Sequence, residues 1–506
     1  MSSDGPDRGF LKVSGKDITL DGKPIILRGT AIGGWMNMEN FITGYAGHEH
    51  QARQALKQVL GTEKYNYFFE KFLEYFFAED DAKFFASLGL NCIRIPVNYH
   101  QFEDDMNPRV FKRDGLKHLD RVIQICAKYG IYTVIDLHAA PGGQNFDWHS
   151  DNPTHKALFY EHKDFQDRTV FIWENIARHY KDNTWVAGYN PLNEPSDEQH
   201  QSYTLFRRKV RPIRHIAISD SLLTGMLGKA LLQQILAGLG SLSAIAFMLA
   251  MTIPCEFISL NGDAWSKYSF FSYGFPNPPS LYGGSKEQIQ FHVDSYNGKT
   301  KYMRKHGSPV WVGEFGPVYQ TSEDGYPDWK HINDTRFDVL QLQLDIYVKA
   351  RASWSIWLYK DIGFQGMIYA GEDTAYVKLL KEFLHKKKVA AADKWGADDR
   401  AVRSMFTPLE SWLLETVPSI SDRYPQDWSV GEHLSRLVRN MLLSEELVKE
   451  YAEHFRGKSH KELDELAKSF KFSNCTQRKR LNDVLKSGSE RGIDEKKSLW
   501  QVGEKV

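Results

Sequence analysis

A chain of 506 residues, 42% of them hydrophobic and 25% charged, is long enough to bury a large core, and its composition excludes a disordered protein. Lys+Arg and Asp+Glu balance at 64 each, so no global field selects nucleic acid or an anionic membrane as a partner. Four cysteines, Cys92, Cys126, Cys255 and Cys475, are too few and too scattered for a disulfide framework or a CxxC metal site, and they read as reduced, buried thiols.

Taken in chain order, the N-terminus has no apolar segment behind basic residues, which predicts no secretory signal and an intracellular, cytoplasmic protein. It reads instead as short alternating runs, "FLKVS", "DITL" and "PIILRG", parted by Gly-Lys and Asp-Gly turns, as a β-hairpin leading into a first core strand would be. A unit of apolar strand, polar loop and amphipathic helix then repeats. "NCIRIPV" precedes "LKHLDRVIQICAKYG", "IYTVIDLHAA" precedes "DRTVFIWENIARHY", and "TWVAGYNPLNEP" precedes a polar helical stretch near Asp197. After a gap, "SPVWVGEFGP" leads to "DTRFDVLQLQLDIYVKA", and "ASWSIWLYKDIG" to "DTAYVKLLKEFLHKK".

Regular alternation of strand and helix means parallel strands with crossover helices, either as an open doubly wound sheet or as a closed eight-stranded barrel. Polar residues decide between them. Arg94, His138, Asn193 with Glu194, Glu314 and Trp357 each end a different apolar strand, as a ring of strands aimed at one shared site requires. No GxGxxG or P-loop follows any strand, so the open sheet is disfavoured. The predicted fold is therefore an α/β (β/α)8 TIM barrel over residues 1–395, with an N-terminal β-hairpin and an irregular region around strands 5 to 6. Residues 396–480 show helical periodicity and read as a C-terminal packing region, and 481–506, rich in Lys, Glu, Ser and Gly, as a flexible tail.

The chemistry follows from Glu194 and Glu314. Each ends an apolar strand and is followed at once by a residue that bends the chain, Pro195 in one case and Phe315-Gly316-Pro317 in the other. Two carboxylates at one barrel mouth suit glycoside hydrolysis, in which one protonates the leaving oxygen and the other attacks the anomeric carbon. A nucleophile must stay ionised, and Arg94 is a donor that could hold it so. Either glutamate alone could equally be a paired strand-end charge; the two together with His138 favour chemistry. The sequence contains no HExxH, no EF-hand loop and no clustered His/Cys spacing, which predicts neither metal nor cofactor.

The segments "NEP" at Asn193 to Pro195, "GEFGP" at Gly313 to Pro317, "IRIP" at Ile93 to Pro96, "DLHAAPGGQN" at Asp136 to Asn145 and "IWLYKDIG" at Ile356 to Gly363 together resemble glycoside hydrolase family 5, over about residues 10 to 395. The resemblance implies a retaining β-glycosidase of the cellulase and exo-β-1,3-glucanase kind, acting on β-glucosides or β-glucans. It implies Glu194 as acid/base and Glu314 as nucleophile, Arg94 holding Glu314 ionised, His138 and Asn193 on sugar hydroxyls, and Trp357 stacked under the sugar. The loop "GGQNFDWHSDN", with Gln144, Trp148 and His149, is expected to help shape the sugar pocket.

One region departs from that pattern. Residues 203–272 hold an apolar run, and from Ala230 to Cys255 no residue is charged. It satisfies the criteria for a membrane span, yet a span there would separate two parts of one barrel, so a buried or surface-lying helix and a segment foreign to the family are the competing readings. The family's fifth strand is expected near "CEFISLNGD", and its sixth-strand His-x-Tyr pair is replaced by Tyr268 and Phe270. Hence two alternatives accompany the main reading: a catalytically impaired barrel that binds glycans or a protein partner, and a membrane-associated glycolipid hydrolase.

Overall fold

The computed structural model describes residues 9–145, 147–154, 156–195, 282–322, 327–392, 400–423 and 430–490. The apolar run, "CEFISLNGD", Tyr268 and Phe270 lie outside these residues, as does most of the expected tail.

The chain begins with three strands, β1 (Lys12–Ser14), β2 (Asp17–Leu20) and β3 (Lys23–Ile25), paired antiparallel in sequence order. The expected hairpin is thus a three-stranded meander, because the second turn, at Asp21-Gly22, folds the chain again before it enters the core. Six parallel strands then form one sheet: β4 (Arg28–Ala31), β5 (Cys92–Asn98), β6 (Tyr132–Ala139), β7 (Val186–Asn190), β8 (Trp311–Val312) and β9 (Ser353–Ile356), in the order β7-β6-β5-β4-β9-β8. Neighbours β4 and β9 come from opposite ends of the chain, so the sheet curls back on itself, and the fold is α/β and TIM-barrel-like.

Every residue of β5, β6 and β7 is buried, as expected of parallel strands covered on both faces. Gly29 in β4 allows the closest approach, since a Cβ there would lie 1.9 Å from the Cys92 carbonyl oxygen. The helix Asp114–Lys128 buries Leu116, Leu119, Val122, Ile123 and Cys126, one face of a 3.6-residue period, and so lies against the sheet. Glu49–Phe76, a helix absent from the sequence expectations, is the longest among the described residues, with Gly61 in a non-helical conformation along it.

The C-terminal region shares the barrel's core. Phe470 packs against Phe72 and Phe76 with ring centroids 5.1 and 5.7 Å apart, and Phe455 against Phe68 at 5.5 Å. It is not wholly helical, because Cys475–Gln477 adds an antiparallel strand to Ile368–Ala370. The expected tail also needs correction at its start: Lys479–Glu490 is a helix whose Leu481 and Leu485 are fully buried. Leucines every fourth residue outweigh the Lys- and Ser-rich composition that suggested a free end.

Candidate active site

The site is built where the C-terminal ends of the strands converge. Residues at positions i and i+2 of a strand share a face, and β6 therefore sends Asp136 and His138 to the same side. Asp136 is fully buried. One of its oxygens accepts from Asn190 Nδ2 at 2.7 Å, while the other faces both His138 Nδ1 and Arg94 Nη2 at 2.8 Å.

Arg94, from β5, is the hub. Its Nη2 also donates to Asn193 Oδ1 at 2.6 Å, and its Nη1 donates to Glu314 Oε1. One guanidinium thereby connects the residue beside Glu194 with Glu314, a connection that an ammonium point charge could not reproduce. Burial pushes the Glu314 carboxyl above its usual range; Arg94 and His138 pull it down, and Glu194 lies close enough to push it up. Burial pulls His138 down, but Asp136, Glu39 and Glu314 more than offset this and raise its pKa to about 10, so the ring carries a proton at neutral pH.

Glu194 is half-buried and its backbone has a φ of 41°, in the left-handed region, which costs on the order of 1–3 kcal/mol unless neighbours enforce it. They do. The Asn193 N–H donates to the Leu137 carbonyl at 3.0 Å, and the Glu194 carbonyl accepts from Asn145 Nδ2 at 3.0 Å. The carboxylate of Glu194 meets His149 Nε2 at 3.0 Å.

The structure brings all nine sequence-expected residues together, but it changes the roles open to Gln144 and Trp357. Gln144, expected on the sugar, is fully buried, and its amide is used by the backbone: Oε1 accepts from Ala140 N, and Nε2 donates to the carbonyls of His138 and Asn193. It fastens the loop after β6 to the strand ends. Trp357, expected beneath the sugar, lies parallel to the His138 ring with centroids 5.3 Å apart. A Cβ on Gly33 would come within 2.6 Å of the same indole, so that ring is clamped rather than open. Trp148 is buried and donates from Nε1 to Glu39 Oε2 at 3.2 Å.

Sequence reasoning missed Asp136, Glu39, Asn145 and Asp147. Asp136 was legible as the i−2 partner of His138 on one strand face, and Glu39 as an acid inside the apolar stretch "GGWMNMENF". Among the described residues no group of three or more His, Cys, Asp or Glu could hold a metal ion, and no helix is long and apolar enough to cross a membrane.

Comparison with known proteins identifies the family. The family description Cellulase (glycosyl hydrolase family 5) matches residues 57–363, more than half of the chain. A Beta-xylosidase from Phanerodontia chrysosporium is 51% identical over 488 residues, covering 94% of this chain and 97% of that protein. A Probable glucan 1,3-beta-glucosidase A from Emericella nidulans is 26% identical, covering 67% of this chain and 86% of that one. Among solved structures, the rutinosidase from Aspergillus niger covers 67% of this chain and 90% of its own, at 15% identity and a TM-score of 0.43. The extent of the family match and the near full-length relative establish that the chain belongs to glycosyl hydrolase family 5.

Proposed function

We propose that this glycoside hydrolase cleaves β-glucosides or β-xylosides by a retaining double displacement, with Glu314 as nucleophile and Glu194 as acid/base. The observation that carries the reading is the arginine bridge: Arg94 binds Glu314 on one side and Asn193, the neighbour of Glu194, on the other. β-Xylosides join the β-glucosides and β-glucans of the sequence reading because the relative of 51% identity is named a Beta-xylosidase.

In the first step Glu314 attacks the anomeric carbon as the glycosidic bond breaks, and Glu194 gives its proton to the leaving oxygen. In the second, Glu194 takes a proton from water as water displaces Glu314. Arg94 supports the ionised nucleophile, and the imidazolium of His138, held by Asp136 through Nδ1, has its Nε2 3.6 Å from Glu39 Oε1 and adds positive charge beside Glu314. Asn193, held by Arg94 through its oxygen, keeps its Nδ2 towards His138 at 3.4 Å.

The test is a panel of aryl β-glucosides, β-xylosides and β-galactosides assayed on the purified chain beside Glu314→Gln. Turnover should vanish in that variant while its unfolding temperature stays near the parent's. A 2-deoxy-2-fluoro glycoside of the preferred sugar should label Glu314 covalently. Full activity in Glu314→Gln, or sugar binding with no release of any leaving group, would defeat the assignment.

A further inference from the structure

Nothing in the acid/base role requires a histidine, yet the loop after β6 brings one directly onto Glu194. His149 is 7% exposed, and its Nε2 faces two groups at once, Glu194 Oε2 at 3.0 Å and Asn145 Nδ2 at 2.9 Å. The orientation of Asn145 is determined by its other bonds: Oδ1 accepts from Asp147 N at 2.9 Å, and Nδ2 donates to the Glu194 carbonyl at 3.0 Å. The amide therefore presents a hydrogen to Nε2.

Two protonation states fit this arrangement, and Asn145 distinguishes them, because its amide hydrogen finds an acceptor on the ring only when Nε2 is bare. With the proton on Nε2, the imidazolium donates to an ionised Glu194. With the proton on Glu194, the carboxyl donates to a bare Nε2, which also accepts from Asn145. We propose that His149 and Glu194 share the proton that the leaving oxygen takes up, with His149 acting as a positioning residue and proton store behind the acid. The inference rests on the acid/base reading of Glu194.

The step balances. As the bond between C1 and the leaving oxygen breaks, its electron pair stays on that oxygen, which takes the proton from Glu194. That proton is the one the pair shares, so its loss leaves Glu194 ionised and Nε2 bare beside the Asn145 amide, and Glu194 takes the proton released when water attacks C1, which refills the pair.

The charged and titratable groups facing His149 come from three elements. Glu194 follows β7, Asp147 lies in the same loop, and Glu39 follows β4; the His138 ring stands edge-on with its centroid 5.5 Å away. Burial pulls the His149 pKa down, and the three carboxylates together raise it above the usual imidazole range. A ring that shares the acid's proton gives that proton a second place to rest, so removing the ring takes that place away.

The experiment is the pH dependence of kcat/KM for the preferred aryl glycoside in the parent, His149→Gln and Asp147→Asn. His149→Gln should move the alkaline limb down by about one unit or more, a loss of roughly tenfold at the parent's limb. A poor leaving group such as 4-methoxyphenol should suffer more than 2,4-dinitrophenol, which needs little protonation. Asp147→Asn should move the limb in the same direction by less, and it decides the matter if His149→Gln does not fold. An alkaline limb unmoved in the folded variants would overturn the proposal. Glu194→Ala supplies the independent control: rescue of its activity by azide upholds the acid/base role whatever His149 does, and absence of rescue removes that role.

Discussion

At the scale of single residues, the site depends on buried charges set against one another. Arg94 is 2% exposed and meets Asp136, Asn193 and Glu314, so any replacement leaves buried acceptors without a donor. Arg94→Lys should lower kcat/KM by at least about a hundredfold, the usual size of losing one preorganised contact to a developing charge. It should also move the acid limb of the pH profile upward. Arg94 favours the ionised form of Glu314 against burial, so a weaker or displaced cation lets the nucleophile ionise only at higher pH. An acid limb that stays in place would separate Arg94 from the nucleophile.

At the scale of elements, the loop that carries Trp148 and His149 is locked by one carboxylate. Asp151 accepts from the His50 backbone N–H at 2.9 Å, from His50 Nδ1 at 2.7 Å and from Asn98 Nδ2 at 2.8 Å, and it lies 3.3 Å from His100 Nδ1. The loop is thus tied to the start of the long helix and to the end of β5. Burial pulls His100 down, but Asp105 and Asp151 raise it to about 9, while His50 moves up for the same reason. A histidine whose folded pKa is raised contributes its full stabilisation below about 6.5 and loses it as the pH rises through the folded value. The unfolding temperature should therefore fall between pH about 6.5 and pH about 9, and His100→Gln should flatten that slope. A parent protein equally stable across this range would show that the clasp carries no charge.

At the scale of the whole molecule, the C-terminal region belongs to the barrel's architecture. Lys360 is fully buried and its Nζ meets Asp81 at 2.9 Å, the Phe76 carbonyl at 2.5 Å and the Phe470 carbonyl at 2.6 Å, joining barrel and C-terminal residues at one point. Arg436 reaches Asp147 at 3.0 Å, next to Trp148 in the site loop. Phe470→Ala should cost about 3–5 kcal/mol, because the fully buried ring touches Phe72, Phe76 and Tyr376 and its removal leaves a cavity the helices cannot close. Chemical denaturation measures this directly. Residues 1–395 expressed alone should lack a cooperative transition, since Phe68, Phe72 and Phe76 would then face water.

The amino-acid sequence by itself determined the alternation of strand and helix, and with it the polar residues at or just past strand ends, His138, Asn193, Glu194, Glu314 and Trp357; Arg94, expected at a strand end, stands inside β5, which runs on to Asn98. Apolar periodicity is a local property, and a polar residue that closes an apolar run is visible without any partner. Tertiary structure alone decided that Gln144 binds backbone rather than sugar, that Trp357 is clamped by His138 and Gly33, that Asp136 and Glu39 belong to the site, and that the helix after Lys479 docks instead of fraying. Each of these depends on partners far away in the chain: Arg94 meets Glu314 across 220 positions, and Ser489 Oγ donates to the Leu88 carbonyl across 401. A side chain's chemistry is written in its own residue, whereas its hydrogen-bond partners and its desolvation exist only once the strands have closed around it.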